Sequence, residues 1–254
     1  MKLGLVTYQM AQDWDLDTII ANCRAAGFEG VELRTTHAHG VEEILSKQER
    51  AEVRKKFEQS GIAAYALGTA FEFHSTDAGE LRENIEGTKR HIKLAADLGM
   101  EGVKVRPNAL PDGVAEETTL EQIGVSVREV AEAGAQAGIA LWLEVHGGGA
   151  CRVDRMRKIM DIADHPNALV TYNCNEGETD DRGSCGTSYN LLKHKIGCVH
   201  IQEIWDAQRY PYRELLQLLK EDDYQGWTSY EGPGSADPVL VMKCYRQIWE
   251  LMLA

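Results

Sequence analysis

Glutamate and histidine can carry protons and, with asparagine, can hold metal cations, and in this chain the three recur at the ends of apolar runs. The clearest run is Ile139 to Gly149, reading Ile-Ala-Leu-Trp-Leu-Glu-Val-His-Gly-Gly-Gly. As a strand with period-two alternation it sends Leu141, Leu143 and Val145 to one face and Trp142, Glu144 and His146 to the other. The glycines that follow let the backbone turn sharply beside the two ligand-type side chains. Ala168 to Asn175, Ile196 to Gln202 and Trp227 to Glu231 have the same shape. Polar residues near the strand ends keep one alternation class throughout: Glu32 and Arg34, Lys104 and Arg106, Glu144 and His146, Asn173 and Asn175, His200 and Gln202, and Glu231. Each uncompensated charge in a shared lumen would cost on the order of several kcal/mol, so these groups must be paired, hydrated or bound to a cation. Glu144, His200 and Glu231 together point to a site that moves protons or binds a metal.

These side chains need eight strands to carry them. Strands are expected at Leu3 to Tyr8, Gly30 to Arg34, Ile62 to Gly68, Gly102 to Arg106, the run opening at Ile139, Asn167 to Asn173, Gly197 to Gln202 and Gly226 to Glu231. Between them lie helical stretches. The first starts at Asp15 or Asp17 and ends at Gly27; the next covers Ser46 to Gln59 before Gly61. Asp77 caps a helix to Leu98, and Glu116 or Thr118 begins another that Gly138 ends. Val153 to Ala163, Ser188 to His194, Tyr212 to Lys220 and a segment opened by Asp237-Pro238 complete the set. Eight alternations at roughly thirty-residue spacing, with no linker between them, predict one (β/α)₈ TIM barrel over residues 1–254, its site at the strand C-terminal ends. The rival doubly wound sheet would place Gly-x-Gly-x-x-Gly after the first strand, and none is there.

Composition narrows the partners. The 43% hydrophobic content suffices for a large core, and the net charge of −13 should repel polyphosphate unless a local basic patch overrides it, so no nucleic-acid partner is expected. Six cysteines without a Cys-x-x-Cys pair suggest reduced thiols in a cytoplasm. No signal-peptide core or apolar run of spanning length is visible, which predicts a soluble, unprocessed chain with no membrane partner. A homo-oligomer is compatible with the sequence, which does not fix it. Trp142, like Cys174 and Cys198, is expected to pack in the core, and the acidic run Glu176, Glu178, Asp180, Asp181 reads as a solvated, mobile lid.

Four segments in order, "GFEGVELR", "LWLEVHGG", "CVHIQE" and "SYEG", make the chain resemble the xylose isomerase-like barrels, a family of sugar isomerases and epimerases that also includes endonuclease IV-type enzymes. The resemblance spans nearly the whole length. It implies one divalent metal, Mn, Mg or Zn, on a strand-five Glu, a strand-six Asp, a strand-seven His and a strand-eight Glu; these positions are Glu144, Asn173, His200 and Glu231. Strand six departs from the family's Asp-x-x-His, reading Asn173-Cys174-Asn175-Glu176. An amide oxygen can still ligate a hard cation, but a unit of negative charge is lost.

The implied activity is isomerisation or epimerisation of a sugar or sugar phosphate, with Glu144 and Glu231 shuttling a proton beside a carbonyl. His146, Arg106, Lys104, Glu32, His37, His39, Asn175 and Gln202 are the expected substrate contacts. Two alternatives accompany it. One is an endonuclease IV-like phosphodiesterase that recruits His37, His39 and His74 as further ligands. The other is a metal-independent lyase or binding protein for an oxidised sugar, which Asn173 would suit.

Overall fold

The computed structural model describes residues 1–175 and 177–254. Its strands are β1 (Lys2–Val6), β2 (Gly30–Arg34), β3 (Ala63–Glu72), β4 (Gly102–Arg106), β5 (Ala140–Glu144), β6 (Ala168–Asn173), β7 (Ile196–Ile201) and β8 (Trp227–Tyr230). The α-helices between and after them are α1 (Leu16–Ala26), α2 (Lys47–Ser60), α3 (Ala78–Leu98), α4 (Glu116–Ala137), α5 (Val153–Ala163), α6 (Gly186–Leu192), α7 (Tyr212–Glu221) and α8 (Pro238–Leu253). Each strand pairs in parallel with the next and β8 pairs back to β1, closing a (β/α)₈ barrel.

Local chemistry sets the helix ends. Asp15, Ser46 and Asp77 each accept a hydrogen bond from the backbone N–H three residues on, and the Ser46 N–H donates in turn to the Glu49 carboxylate. Asp15, rather than Asp17, is thus the cap of α1. Gly27, Gly99 and Gly138 stop α1, α3 and α4 at left-handed φ of 74°, 73° and 71°, where a side chain would be strained. The strand β3 runs past the expected Gly68 to Glu72, across a register shift against β4. The strand β8 stops one residue early, yet the Glu231 N–H still donates to the Ile201 carbonyl at 2.9 Å.

Two apolar layers frame the site. Leu3, Leu5, Val31, Leu33, Val103, Val105, Leu141 and Leu143 are fully buried in the layer shared with the helices. Each such side chain contributes roughly 1.5–3 kcal/mol on burial. A smaller cluster of Tyr65, Ala66, Trp142, Cys198 and Trp227 fills the interior, with Tyr65 stacked on Trp227 at 4.3 Å. Glycines make that plug possible: a Cβ on Gly30 would lie 2.5 Å from Trp227, and one on Gly102 or Gly197 would lie 2.6 Å from Trp142. Trp142 is therefore a packing residue, as expected. Among the described residues, no helix is long and apolar enough to cross a membrane.

Candidate active site

The ligand-type side chains converge because parallel pairing brings their strand ends level. Asn173 is in register with His200, and His200 with Ser229, so β6, β7 and β8 deliver neighbouring groups to the lumen. Lys104 arrives from β4, Glu144 closes β5, Glu32 lies on β2 and Glu231 follows β8. His200 is at the centre. Its Nε2 lies 3.0 Å from Glu32 Oε2, while Nδ1 lies 3.4 Å from Glu144 Oε1 and 3.6 Å from Glu231 Oε2. Lys104 Nζ donates to Glu144 Oε2 at 2.6 Å, and the Asn173 amide donates to Glu144 Oε1 at 3.2 Å. Arg34 Nη1 stands 3.9 Å from Glu231 Oε1 and its guanidinium covers the Tyr8 ring. A Cβ on Gly68 would lie 2.5 Å from the Glu32 carboxylate, so that glycine leaves it room.

The charges in this cluster hold one another. Burial alone would raise the Glu144 carboxyl, but Lys104 and then His200 outweigh it and keep the group well below the usual carboxylate range. Burial would likewise lower His200; the carboxylates of Glu32 and Glu231 reverse that and lift the imidazole well above its ordinary value. Glu231 is also held low, His200 overcoming its burial. Glu144, His200 and Glu231 are thus each favoured in the charged form, because each has an opposite charge within reach.

Around the rim, Arg106 pairs with Glu72 and donates to the Ala70 carbonyl, and Asn108 donates to Glu72 Oε2 at 2.8 Å. His74 Nδ1 lies 3.6 Å from the same oxygen. Sequence reasoning missed Asn108; its position just past Pro107, at the end of β4, was the available signal. Among the described residues, His146 Nδ1, His37 Nδ1, Arg106 Nε and Gln202 Oε1 are buried without a hydrogen-bond partner. Burial holds both His37 and His146 below the usual histidine range, so they offer neutral rings.

Four of the expected substrate contacts already have partners within the protein. Glu32 is wholly buried behind His200, with its Oε2 3.0 Å from the ring Nε2. His39 places Nε2 2.7 Å from the Arg34 carbonyl, and its Nδ1 accepts from the Val41 N–H at 3.1 Å, so both nitrogens serve the loop. The amide nitrogen of Asn175 donates to the Val145 carbonyl at 2.6 Å and to Glu178 Oε1 at 2.8 Å, tying two loops together. Lys104 is only 1% exposed and is committed to Glu144.

The model of the family described as "Xylose isomerase-like TIM barrel" matches residues 20–243. The chain belongs to this family. No curated protein sequence matches it. Among solved structures, an L-ribulose 3-epimerase superposes with a TM-score of 0.84 at 18% identity, covering 99% of this chain and 94% of that one. The 3-keto-D-glucoside 4-epimerase of E. coli gives 0.80 at 15% identity, with 99% and 98% covered. The IolI protein with a bound zinc atom gives 0.77 at 18% identity, with 99% and 96% covered.

The residues of this xylose isomerase-like barrel fit a divalent cation. Glu144, His200 and Glu231 present ligand atoms within 4.8 Å of one another. Among the described residues, His200 Nδ1 and Asn173 Oδ1 are buried without a hydrogen-bond partner, and Nδ1 faces the carboxylates of Glu144 and Glu231. A cation there would replace the Nδ1 proton, as ligation by imidazole requires.

The expected solvated lid is only partly that. Glu176 lies outside the described residues, while Asp180 accepts from the N–H groups of Arg182 and Ser184 in an exposed turn. Glu178 is buried, 7% exposed, and burial pushes its carboxyl up to about 8 against the opposing Asn175 hydrogen bond. The run of acidic residues concealed one that faces inward, because charge patterning carries no period that separates the two cases.

Proposed function

We propose that this barrel is an isomerase or epimerase of a sugar or sugar derivative, phosphorylated or free, working by proton transfer beside a carbonyl. The supporting observation is the placement of Glu144 and Glu231, both held ionised, 3.4 Å and 3.6 Å from the same nitrogen of His200. Two carboxylates around one centre can take a proton from one face of a carbon and return it on the other, or move it between adjacent carbons. Glu144 is kept ionised, and so able to accept, by Lys104. His146, Arg106, Gln202 and His37 offer hydroxyl groups polar atoms that have no partner among the described residues, and the neutral histidines serve as donor or acceptor.

Glu144, Asn173, His200 and Glu231 would hold one divalent cation, Mn, Mg or Zn. Bound there, it would supply Lewis acidity to a carbonyl and its neighbouring hydroxyl. The mouth is shaped by Arg34, Arg106 and Glu72, whose charges are set in pairs, and a small carbohydrate is the partner that matches such a polar, mostly satisfied surface. The net charge of −13 argues against nucleic acid, and the free thiols suit a reducing cytoplasm.

Proton exchange in D₂O tests this reading. Stripped protein is reloaded with Mn²⁺, Mg²⁺ or Zn²⁺ and offered keto and aldo sugars with their phosphates; solvent deuterium should enter a position next to the carbonyl. No exchange with any sugar or metal would reject it. A multi-zinc phosphodiesterase would need His37, His39 and His74 as ligands, and the full engagement of His39 within its loop counts against that alternative.

A further inference from the structure

Glu144, Glu231 and His200 each turn one polar atom inward and have an oppositely charged group behind the other. Glu144 directs Oε1 to His200 and Asn173, while Lys104 Nζ sits on Oε2 at 2.6 Å. Glu231 directs Oε2 to His200, while Arg34 Nη1 approaches Oε1 at 3.9 Å. His200 directs Nδ1 inward with Nε2 held by Glu32. An outer ring of Glu32, Arg34 and Lys104 thus favours a single-atom presentation from His200, Glu231 and Glu144. For the imidazole such support is ordinary metal-site design. Two cations behind the carboxylates are not needed for that purpose, and a buried lysine is costly unless it has a task.

We infer that Lys104, with a weaker contribution from Arg34, makes the site selective for a small divalent cation and against calcium, by occupying the second oxygen of Glu144 and placing a positive charge beside that of Glu231. This rests on the reading that Glu144, Asn173, His200 and Glu231 hold a divalent metal. Calcium takes about six to eight oxygens and gains from carboxylates that chelate through both. Magnesium is smaller and takes near-octahedral single-oxygen ligands; manganese and zinc accept similar one-atom donors. Chelation by Glu144 would require its Oε2 to leave Lys104, stranding an ammonium that is 1% exposed. The positive charge of Lys104 repels every divalent ion alike, so repulsion lowers all affinities together. Only the occupation of Oε2 separates calcium from the others, and the ratio of affinities, not either affinity alone, is the readout that carries the assignment.

Calorimetric titration of metal-stripped protein with Mn²⁺, Mg²⁺ and Ca²⁺ tests this for the wild type, Lys104→Met and Arg34→Gln. In Lys104→Met all three ions should bind more tightly, and the preference for Mn²⁺ over Ca²⁺ should narrow by about tenfold or more, because Glu144 gains a second free oxygen. Arg34→Gln, at a partly buried position with a longer contact, should narrow it in the same direction by about threefold. Circular dichroism establishes that each variant is folded, and if Lys104→Met is not, Arg34→Gln decides. Ion binding with the wild-type ratio in the folded variants overturns the inference while leaving the metal reading intact. Failure of the wild type to bind any ion would reject both.

Discussion

Glu32 Oε2 and His200 Nε2 stand 3.0 Å apart across the interior, from strands three steps apart around the barrel. The contact fixes the ring orientation and places the Nε2 proton, so Nδ1 must face Glu144 and Glu231. Glu32→Gln keeps the shape and removes the charge. Metal affinity should fall by roughly ten- to a hundredfold, the usual effect of losing the partner behind a ligating histidine. Unchanged affinity in a metal titration would reduce Glu32 to a filler of the space that Gly68 leaves.

Glu144→Gln and Glu231→Gln should each lower proton exchange by about a hundredfold or more, since each deletes a positioned proton acceptor. Thermal melting separates loss of function from loss of fold. Near-normal exchange in either variant would remove that residue from the proton path.

His200→Ala and His39→Ala should fail in different ways. The first removes the central inward-facing nitrogen and should abolish most metal binding, measured by elemental analysis of reloaded protein. The second leaves the Val41 N–H and the Arg34 carbonyl without partners, at a cost of about 1–3 kcal/mol, and should lower the melting temperature with little change in metal content. Equal metal loss in both would favour a site with several ions.

Alternation along the strands is a property of the chain alone, which is why Glu32, Lys104, Glu144, Asn173 and His200 could be put in one lumen before any coordinates. Helix limits were legible where a side chain caps or a glycine ends them, as at Ser46 and Gly99. Partnership was not legible. That Glu32 serves His200 and that Lys104 serves Glu144 depend on distances between strands far apart in sequence, and that His39 closes its own loop depends on how residues 34–41 fold back, which no periodicity records. Glu178 defeated the reading for another reason: burial depends on where a loop folds back, and neither charge nor spacing encodes that.

Asn173→Asp should raise divalent affinity. The Asn173 side chain lies against Glu144 Oε1 beside His200, and its Oδ1, among the described residues, is buried without a partner. An ionised oxygen of the same volume attracts a divalent ion more strongly than an amide does. Turnover need not follow, because the substitution also removes an N–H donor and brings a carboxylate against Glu144 whenever the cation leaves. Titration of both forms measures this; equal affinities would take Asn173 out of the ligand set.

The buried carboxyl of Glu178 should make stability fall with rising pH. Burial raises it from an ordinary 4.5 to about 8 in the folded chain. Below the unfolded value both states hold the proton and the group is neutral in its pocket. Between the two values the unfolded chain releases the proton while the fold retains it, so unfolding is favoured by up to roughly 1.4 kcal/mol for each pH unit. The loss is complete once pH passes the folded value. Glu178→Gln cannot ionise, and its side-chain oxygen can still accept from Asn175 Nδ2, which now donates to Oε1 at 2.8 Å. Urea unfolding at about pH 5.5 and about pH 8 should therefore show a marked loss of stability in the wild type and a much smaller one in the variant, which should be the more stable protein at the higher pH. A variant that loses as much as the wild type would place the responsible proton on another group.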